Sequence, residues 1–225
     1  MLIGMFSLFK NFFFPVSCCL CGELETLVCD RCIIDLERAH LKCLRCGKLN
    51  PLGNYCPHCS RPFLPIKAFA TFRYDGFAKE LVHKMKYEDL HEIAKPLARL
   101  LAVGLSKTFN LKGYKVSFVP ADKRRKRYRG YNQAELLARE VASALQLECI
   151  DALDRIRLTE SQIFSNSYVE RRRNIRGSII AKEKIEGNIL LIDDVITSGA
   201  TVEEAAKQLY RAGASNVVAV AVCMG

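Results

Sequence analysis

The densest chemistry in the chain lies in ILLIDDVITSGAT, residues 189–201: four apolar residues of a strand, two adjacent carboxylates, a loop of hydroxyls and glycine, then a helix. Strand ends in open α/β sheets are where ligands sit. The loop of Thr197, Ser198, Gly199, Ala200 and Thr201 leads into a helix N-terminus whose free N–H groups favour a phosphate. Gly199 lets backbone approach that anion, and the hydroxyls add donors. Asp193 and Asp194 stand just before the loop, where they can accept hydrogen bonds from the vicinal hydroxyls of a ribose or help to hold Mg2+. A 5-phosphoribosyl group satisfies both halves. A plain acid turn before a capped helix explains the capping but not the combination.

A second chemistry is carried by eight of the 11 cysteines. They form four Cys-x2-Cys knuckles: Cys18 with Cys21, Cys29 with Cys32, Cys43 with Cys46, and Cys56 with Cys59. A two-residue gap lets both thiolates of one turn reach a single ion at about 2.3 Å, and two such turns complete a closed tetrahedral Zn2+ site. Sequential pairing predicts two structural ions, on Cys18, Cys21, Cys29 and Cys32, and on Cys43, Cys46, Cys56 and Cys59. Interleaved pairing is the alternative, Cys19 is a spare thiol, and His58 is a possible substitute ligand. Closed four-cysteine sites leave no position for substrate, so stabilisation of a core-poor segment is expected rather than catalysis. Thiols spaced for metal rather than for a disulfide framework fit a reducing compartment.

The elements that must position these groups follow from periodicity. Cysteines nearly vanish after Pro62, which divides the chain into an apolar N-terminal helix (1–17), a double zinc ribbon (18–62) and a larger domain (65–225). Residues 66–74 alternate like a strand, 76–87 and 91–107 have helical spacing, and 116–120 is a short buried strand. Residues 130–146 form an amphipathic helix, 147–153 a possible strand, 188–194 an apolar strand ending in the two acids, 201–214 a helix and 216–225 a last strand. Buried strands alternating with helices predict an α/β fold, a mainly parallel sheet with flanking helices. This larger domain shows no repeats or low-complexity segments. The first seventeen residues are apolar but too short to span a membrane comfortably, and no transmembrane segment is expected. An amphipathic helix docking Phe6, Phe9, Phe13 and Phe14 on the protein itself is the simpler reading.

Lysine and arginine exceed aspartate and glutamate by 34 to 24, a net +10. Such an excess points to a polyanionic or phosphorylated partner and says nothing about fold. Residues 1–62 hold seven basic residues against five acids, so with eight thiolates and two ions their net charge turns negative and the excess belongs to the larger domain. It concentrates in KRRKRYR (123–129) and in residues 155–176. A basic loop of Lys123, Arg124, Arg125, Lys126, Arg127, Tyr128 and Arg129 is either a solvated surface or a track for single-stranded nucleic acid, with Tyr128 or Tyr131 stacking on bases. His83, Lys84, Lys86 and Tyr87 read as a polar helix face, and Phe72, Tyr74 and Phe77 as core.

Residues 189–201 closely resemble the phosphoribosyl-pyrophosphate (PRPP) motif of type I phosphoribosyltransferases. With the knuckles, KYEDLHEIAKPLA (86–98), RGYNQAELLAREVA (129–142), TESQ (159–162) and RRRNIRGS (171–178), nearly the whole chain resembles the ComF family of competence-related proteins. That resemblance implies a type I phosphoribosyltransferase fold preceded by a zinc-ribbon module. It implies a cytoplasmic bacterial protein of natural transformation, acting with single-stranded DNA and a ComFA-like helicase; an active transferase with an unknown acceptor is the alternative. It also implies Asp193 and Asp194 as the catalytic pair on the ribose, the 197–201 loop on the 5-phosphate, and Ala121, Asp122, Lys123 and Arg124 after a strand on the pyrophosphate of Mg2+–PRPP. Arg157, Gln162, Arg172 and Asn174 are expected on a hood over the reacting carbon. Purine-salvage relatives often carry aspartate where Thr197 stands, so a 6-oxopurine acceptor is disfavoured. The loop after 116–120 is unusually basic for the family, and residues 178–180 depart from its pattern.

Overall fold

The computed structural model describes residues 16–156 and 168–225, and of residues 125 and 168–171 the backbone alone. Its centre is a four-stranded parallel sheet of β1 (Lys67–Arg73), β2 (Tyr114–Phe118), β5 (Asn188–Ile196) and β6 (Asn216–Met224), in the order β1-β6-β5-β2. A parallel bridge of Val116 with Cys149 continues the sheet beyond β2, where the sequence suggested a strand over 147–153. Ile189–Ile192 of β5 and Val217–Met224 of β6 are unbroken apolar runs because both faces of these central strands are covered. Ile189, Leu190, Leu191, Ile192 and residues 217–223 are buried.

Chain order and handedness place the helices. The crossover from β1 runs through α2 (Gly76–Tyr87) and α3 (Ala94–Thr108) toward β2, and α5 (Gln133–Leu145) carries the chain on to Cys149. From β5, α7 (Ala200–Arg211) turns back toward β6. Right-handed crossovers running in opposite directions put α3 and α5 on one face and α7 on the other. α5 shows why such a helix forms: Asn132 caps it by accepting the N–H of Ala134 at 3.1 Å, and Ala134, Leu137, Ala138, Val141 and Ala142 make one buried stripe.

Three elements differ from the sequence reading. The basic run is not a loop but a short helix, α4 (Lys123–Arg129), capped by Asp122 and stopped by Gly130 in the left-handed region. Positive side chains in its last turn are favoured by the helix dipole. β5 does not end at the two acids, since pairing with β6 continues to Ile196 opposite Met224. Residues 153–181 supply α6 (Tyr168–Ile175) and a small antiparallel ribbon of β3 (Leu153–Arg155) with β4 (Ile179–Ala181).

The cysteine-rich segment holds one short helix, α1 (Asp30–Ile34), and covers the exposed edge of β1. Ala39 N–H donates to the Thr71 carbonyl at 3.1 Å, Arg73 N–H to Glu37, and Ala68 N–H to Gly53. Unpaired strand edges invite pairing with other chains, so this segment protects the sheet as well as joining its core through Val28, Leu36 and Leu44. No helix among the described residues is long and apolar enough to cross a membrane.

Candidate functional site

β2 pairs with β5 only as far as Phe118 opposite Ile192, while β5 runs four residues further along β6. A crevice therefore opens beyond Ile192 between the two strand ends. It is also where the crossovers reverse direction, the place at which open α/β sheets bind ligands. Asp193, Asp194, Thr197 and Thr201 line this cleft of about 280 Å³ from the β5 side, and Val119, Pro120, Ala121 and Asp122 from the β2 side. Ser198, Gly199 and Ala200 join Thr197 and Thr201 around a smaller hollow at the start of α7. Gly199 has φ +70° and closes into the helix as its N-cap. A non-glycine residue there would be strained by its φ as well as crowded.

Electrostatics set the two acids apart. Lys86 Nζ lies 2.8 Å from Asp194 Oδ2. Burial pulls the Lys86 pKa down, but the carboxylates of Asp194 and Asp193 outweigh it, so the ammonium is held above its usual range. Asp193 still shows some surface to the cleft, yet protein crowds it on all sides. Poor solvation, then the charge of Asp194, raise its pKa to about 7 against the pull of Lys86, the Asp194 N–H and Arg155. The folded state therefore holds a proton on Asp193 that the unfolded chain has released between pH about 4 and 7. The stability this contributes is full below that window and is lost as pH rises through 7. Melting temperatures at pH 5.5 and 8 should accordingly fall further for the ligand-free wild type than for Asp193→Asn; equal falls would show that Asp193 ionises normally.

Several cleft residues escaped the sequence reading. Lys86 and Tyr87, read as a polar helix face, both line the cleft. Tyr74, read as core, lines it as well, whereas Phe77 is 40% exposed and only Phe72 of that trio is fully buried. Arg129, read as part of the basic surface, turns inward: it lies 4.6 Å from the centre of the Tyr87 ring and donates to Gln133 Oε1 at 3.1 Å. That bond orients the amide of Gln133, a cleft-lining residue only 4% exposed, whose Nε2 is buried without a partner among the described residues. A buried donor without a partner is costly, and a ligand in the cleft can satisfy it. The available signal was the RGYNQA block, in which Arg129 and Gln133 stand four apart on successive helices.

Other expected residues fall elsewhere. Lys123 and Arg124 are exposed on α4, not among the residues lining the cleft, and the Arg124 N–H is used in capping by Asp122. Tyr131, offered as a base-stacking ring, donates its hydroxyl to the Met85 carbonyl at 2.5 Å and meets His91 edge-on. Tyr128 is 85% exposed. Arg172 pairs with Glu203 rather than facing the cleft, Asn174 is exposed, and Arg157 and Gln162 lie outside the described residues. Residues 1–15, read as a helix, lie outside them too.

The eight knuckle cysteines gather as Cys18, Cys21, Cys29 and Cys32, and as Cys43, Cys46, Cys56 and Cys59, with all sulfurs of a group within 4.8 Å of one another. Sequential pairing is thus the observed grouping. Separations of 3.8 Å for Cys18 and Cys32, 3.5 Å for Cys21 and Cys29 and 3.6 Å for Cys46 and Cys56 match the edge of about 3.8 Å that a tetrahedron with Zn–S bonds of 2.3 Å requires. The two groups are built alike. Burial opposes ionisation of Cys18, but the N–H groups of Cys29, Cys21 and Leu20 donate to its sulfur and lower its pKa to about 6. Cys43 is lowered to about 6 in the same way by Cys56, Cys46 and Arg45, whereas burial raises Cys32 and Cys59. Each group is suited to a structural Zn2+ held by four sulfurs.

No protein-family model matches the chain. It is 28% identical to the DNA utilization protein YhgH of Escherichia coli O157:H7, over 92% of this chain and 88% of that protein. Its identity to the protein of the same name from Salmonella typhi is 29%, over 93% and 97%. The competence protein ComFC of Bacillus subtilis is 27% identical, over 87% and 89%. Among solved structures, the chain is similar to glutamine PRPP amidotransferase from B. subtilis in complex with ADP and GMP, with a TM-score of 0.38 and 22% identity over 56% of this chain. It is similar also to UMP synthase of Leishmania donovani, with a TM-score of 0.35 and 15% identity over 62%. It spans 25% and 24% of those two larger chains.

Proposed function

We propose that this chain, similar over about nine-tenths of its length to YhgH and ComFC proteins, is of the ComF family and that its cleft binds Mg2+–PRPP in a protein of DNA uptake and natural transformation. One observation carries the ligand: the two carboxylates, Thr197 and Thr201 face one crevice at the reversal point of the sheet, with Ser198, Gly199 and Ala200 around an adjoining hollow. The 197–201 loop binds the 5-phosphate through backbone N–H groups and hydroxyls. Asp193 and Asp194 accept from the ribose hydroxyls, and residues 120–122 with Gln133 meet the diphosphate. Asp193 and Asp194 supply oxygens of the kind that would hold Mg2+, whose charge would offset that of the diphosphate. Lys86 keeps the two acids from repelling each other fully.

Titration calorimetry with Mg2+–PRPP, followed by a pyrophosphate-release assay over a panel of bases and amines, tests this reading. Release with one acceptor makes the protein an active phosphoribosyltransferase, the second reading. Binding without release leaves a competence factor that uses PRPP as a signal. Absence of binding overturns both.

The DNA reading rests on α4, where Lys123, Arg124, Lys126 and Arg127 are all exposed and, among the described residues, only Lys126 of the four side chains forms an ion pair, with Glu135 at 3.7 Å. Single-stranded DNA is the partner we assign to it, and a ComFA-like helicase in the cytoplasm the protein that works beside it. Replacing those four residues by glutamine is expected to weaken binding of an oligothymidylate and to flatten its salt dependence by roughly 0.7 in log–log slope per lost phosphate contact. An unchanged slope would move the DNA surface elsewhere.

A further inference from the structure

The second cysteine group sits directly on the phosphate loop. Leu44, inside the Cys43–Cys46 knuckle, is buried, and a Cβ built on Gly199 would lie 2.8 Å from its Cβ. The next knuckle residue, Arg45, reaches Glu203 at 3.6 Å. Glu203 belongs to the first turn of α7, its N–H closing that turn on the Gly199 carbonyl at 2.9 Å. It is only 5% exposed, and it accepts from Tyr55 at 3.0 Å, one residue before Cys56 of the same metal group, and from Arg172. The Leu44 carbonyl in turn accepts from Arg172 at 3.5 Å. A backbone loop and the buried acid behind it are thus braced by two segments, 44–45 and 55, whose own geometry is set by how Cys43, Cys46 and Cys56 are held. The first cysteine group is placed differently: Thr26, Leu27 and Val28 beside it line a cavity with Ala94 of α3 and Leu136 of α5.

We infer that Leu44 and Arg45 are positioning residues for the phosphate loop, so that metal occupancy of the Cys43, Cys46, Cys56 and Cys59 group is linked to binding of a phosphate-bearing ligand at residues 197–201. The ligand named here rests on the Mg2+–PRPP reading above; the bracing itself does not. Linkage is reciprocal: whatever factor zinc gives to ligand affinity, the ligand gives to zinc affinity. Loss or oxidation of this one metal site would then switch the cleft off without touching Asp193 or Asp194.

The test uses the full chain loaded with two zinc ions. Leu44→Ala and Arg45→Gln are expected to weaken Mg2+–PRPP about tenfold each, within the range usual for coupled sites. Because Leu44→Ala also removes core packing, Arg45→Gln, which leaves that packing in place, keeps the result interpretable. In the wild type, saturating Mg2+–PRPP should raise the zinc affinity of one site about tenfold against a competing chelator, and Cys59→Ser should abolish that gain while Cys32→Ser preserves it. Equal affinities in wild type and both bracing variants, or zinc competition unmoved by ligand, overturn the linkage. Should the wild type bind no PRPP, the ligand reading fails, and amide hydrogen exchange at residues 198–201 decides the bracing. Exchange about tenfold faster in Arg45→Gln upholds it, and unchanged exchange overturns it.

Discussion

Calorimetry on the double variant Asp193→Asn, Asp194→Asn is expected to show Mg2+–PRPP binding lost by roughly a hundredfold or more. Each carboxylate offers charge-assisted hydrogen bonds of about 1.5–3 kcal/mol, and two such losses reach about 3–6 kcal/mol, which is two to four decades in affinity. Asparagine keeps the size and one acceptor oxygen of each side chain, so the variant isolates charge. Folding should not suffer, because the two acids crowd each other and ionising Asp193 is already unfavourable. The variant is expected to hold its zinc and to melt no lower than wild type above pH 7. Lys86 then loses its partner at 2.8 Å, and burial, no longer outweighed by the two carboxylates, should pull its pKa below the ordinary range. Retained binding would remove both acids from the ligand site and return the 189–201 run to a capped strand–helix junction.

Removing both zinc ions should have the second large effect. Structural zinc contributes apparent binding free energies of about 10–16 kcal/mol in isolated zinc-finger peptides, more than most domains have in total stability. Cys32 and Cys59, whose pKa values burial raises, return to thiols without metal. The expected result of chelation is rapid protease cleavage within residues 16–66. Opening this segment uncovers the edge of β1 that Glu37, Ala39 and Gly53 protect, so the metal-free protein should also self-associate on a sizing column. Protease resistance and elution unchanged by chelation would mean that packing through Val28, Leu36 and Leu44 suffices without metal.

Much of this was readable because it is local. Cys-x2-Cys turns place their own sulfurs, so two four-cysteine groups could be anticipated, though spacing alone left the pairing order open until the fold brought Cys29 to Cys18 and Cys56 to Cys43. The 189–201 run carries strand, acids, loop and helix in one stretch, and the alternation of apolar strands with amphipathic helices announces a parallel sheet. The misreadings have a common origin. A basic run has no apolar stripe to reveal a helix, so α4 was expected as a loop; its capping acid, Asp122, was there to be noticed.

What the amino-acid order determined by itself was therefore the chemistry available: sulfur for metal, paired oxygens and a hydroxyl loop for a sugar phosphate, an excess of positive charge for a polyanion. Tertiary structure decided which distant groups share that chemistry. Lys86 meets Asp194 across 108 positions of chain, Arg129 and Gln133 turn into the cleft rather than to solvent, and the Cys43–Cys46 knuckle lands on Gly199. None of these follows from spacing, because periodicity states which side of its own element a residue occupies. It does not state which other element the packing of the sheet and its crossovers will bring opposite.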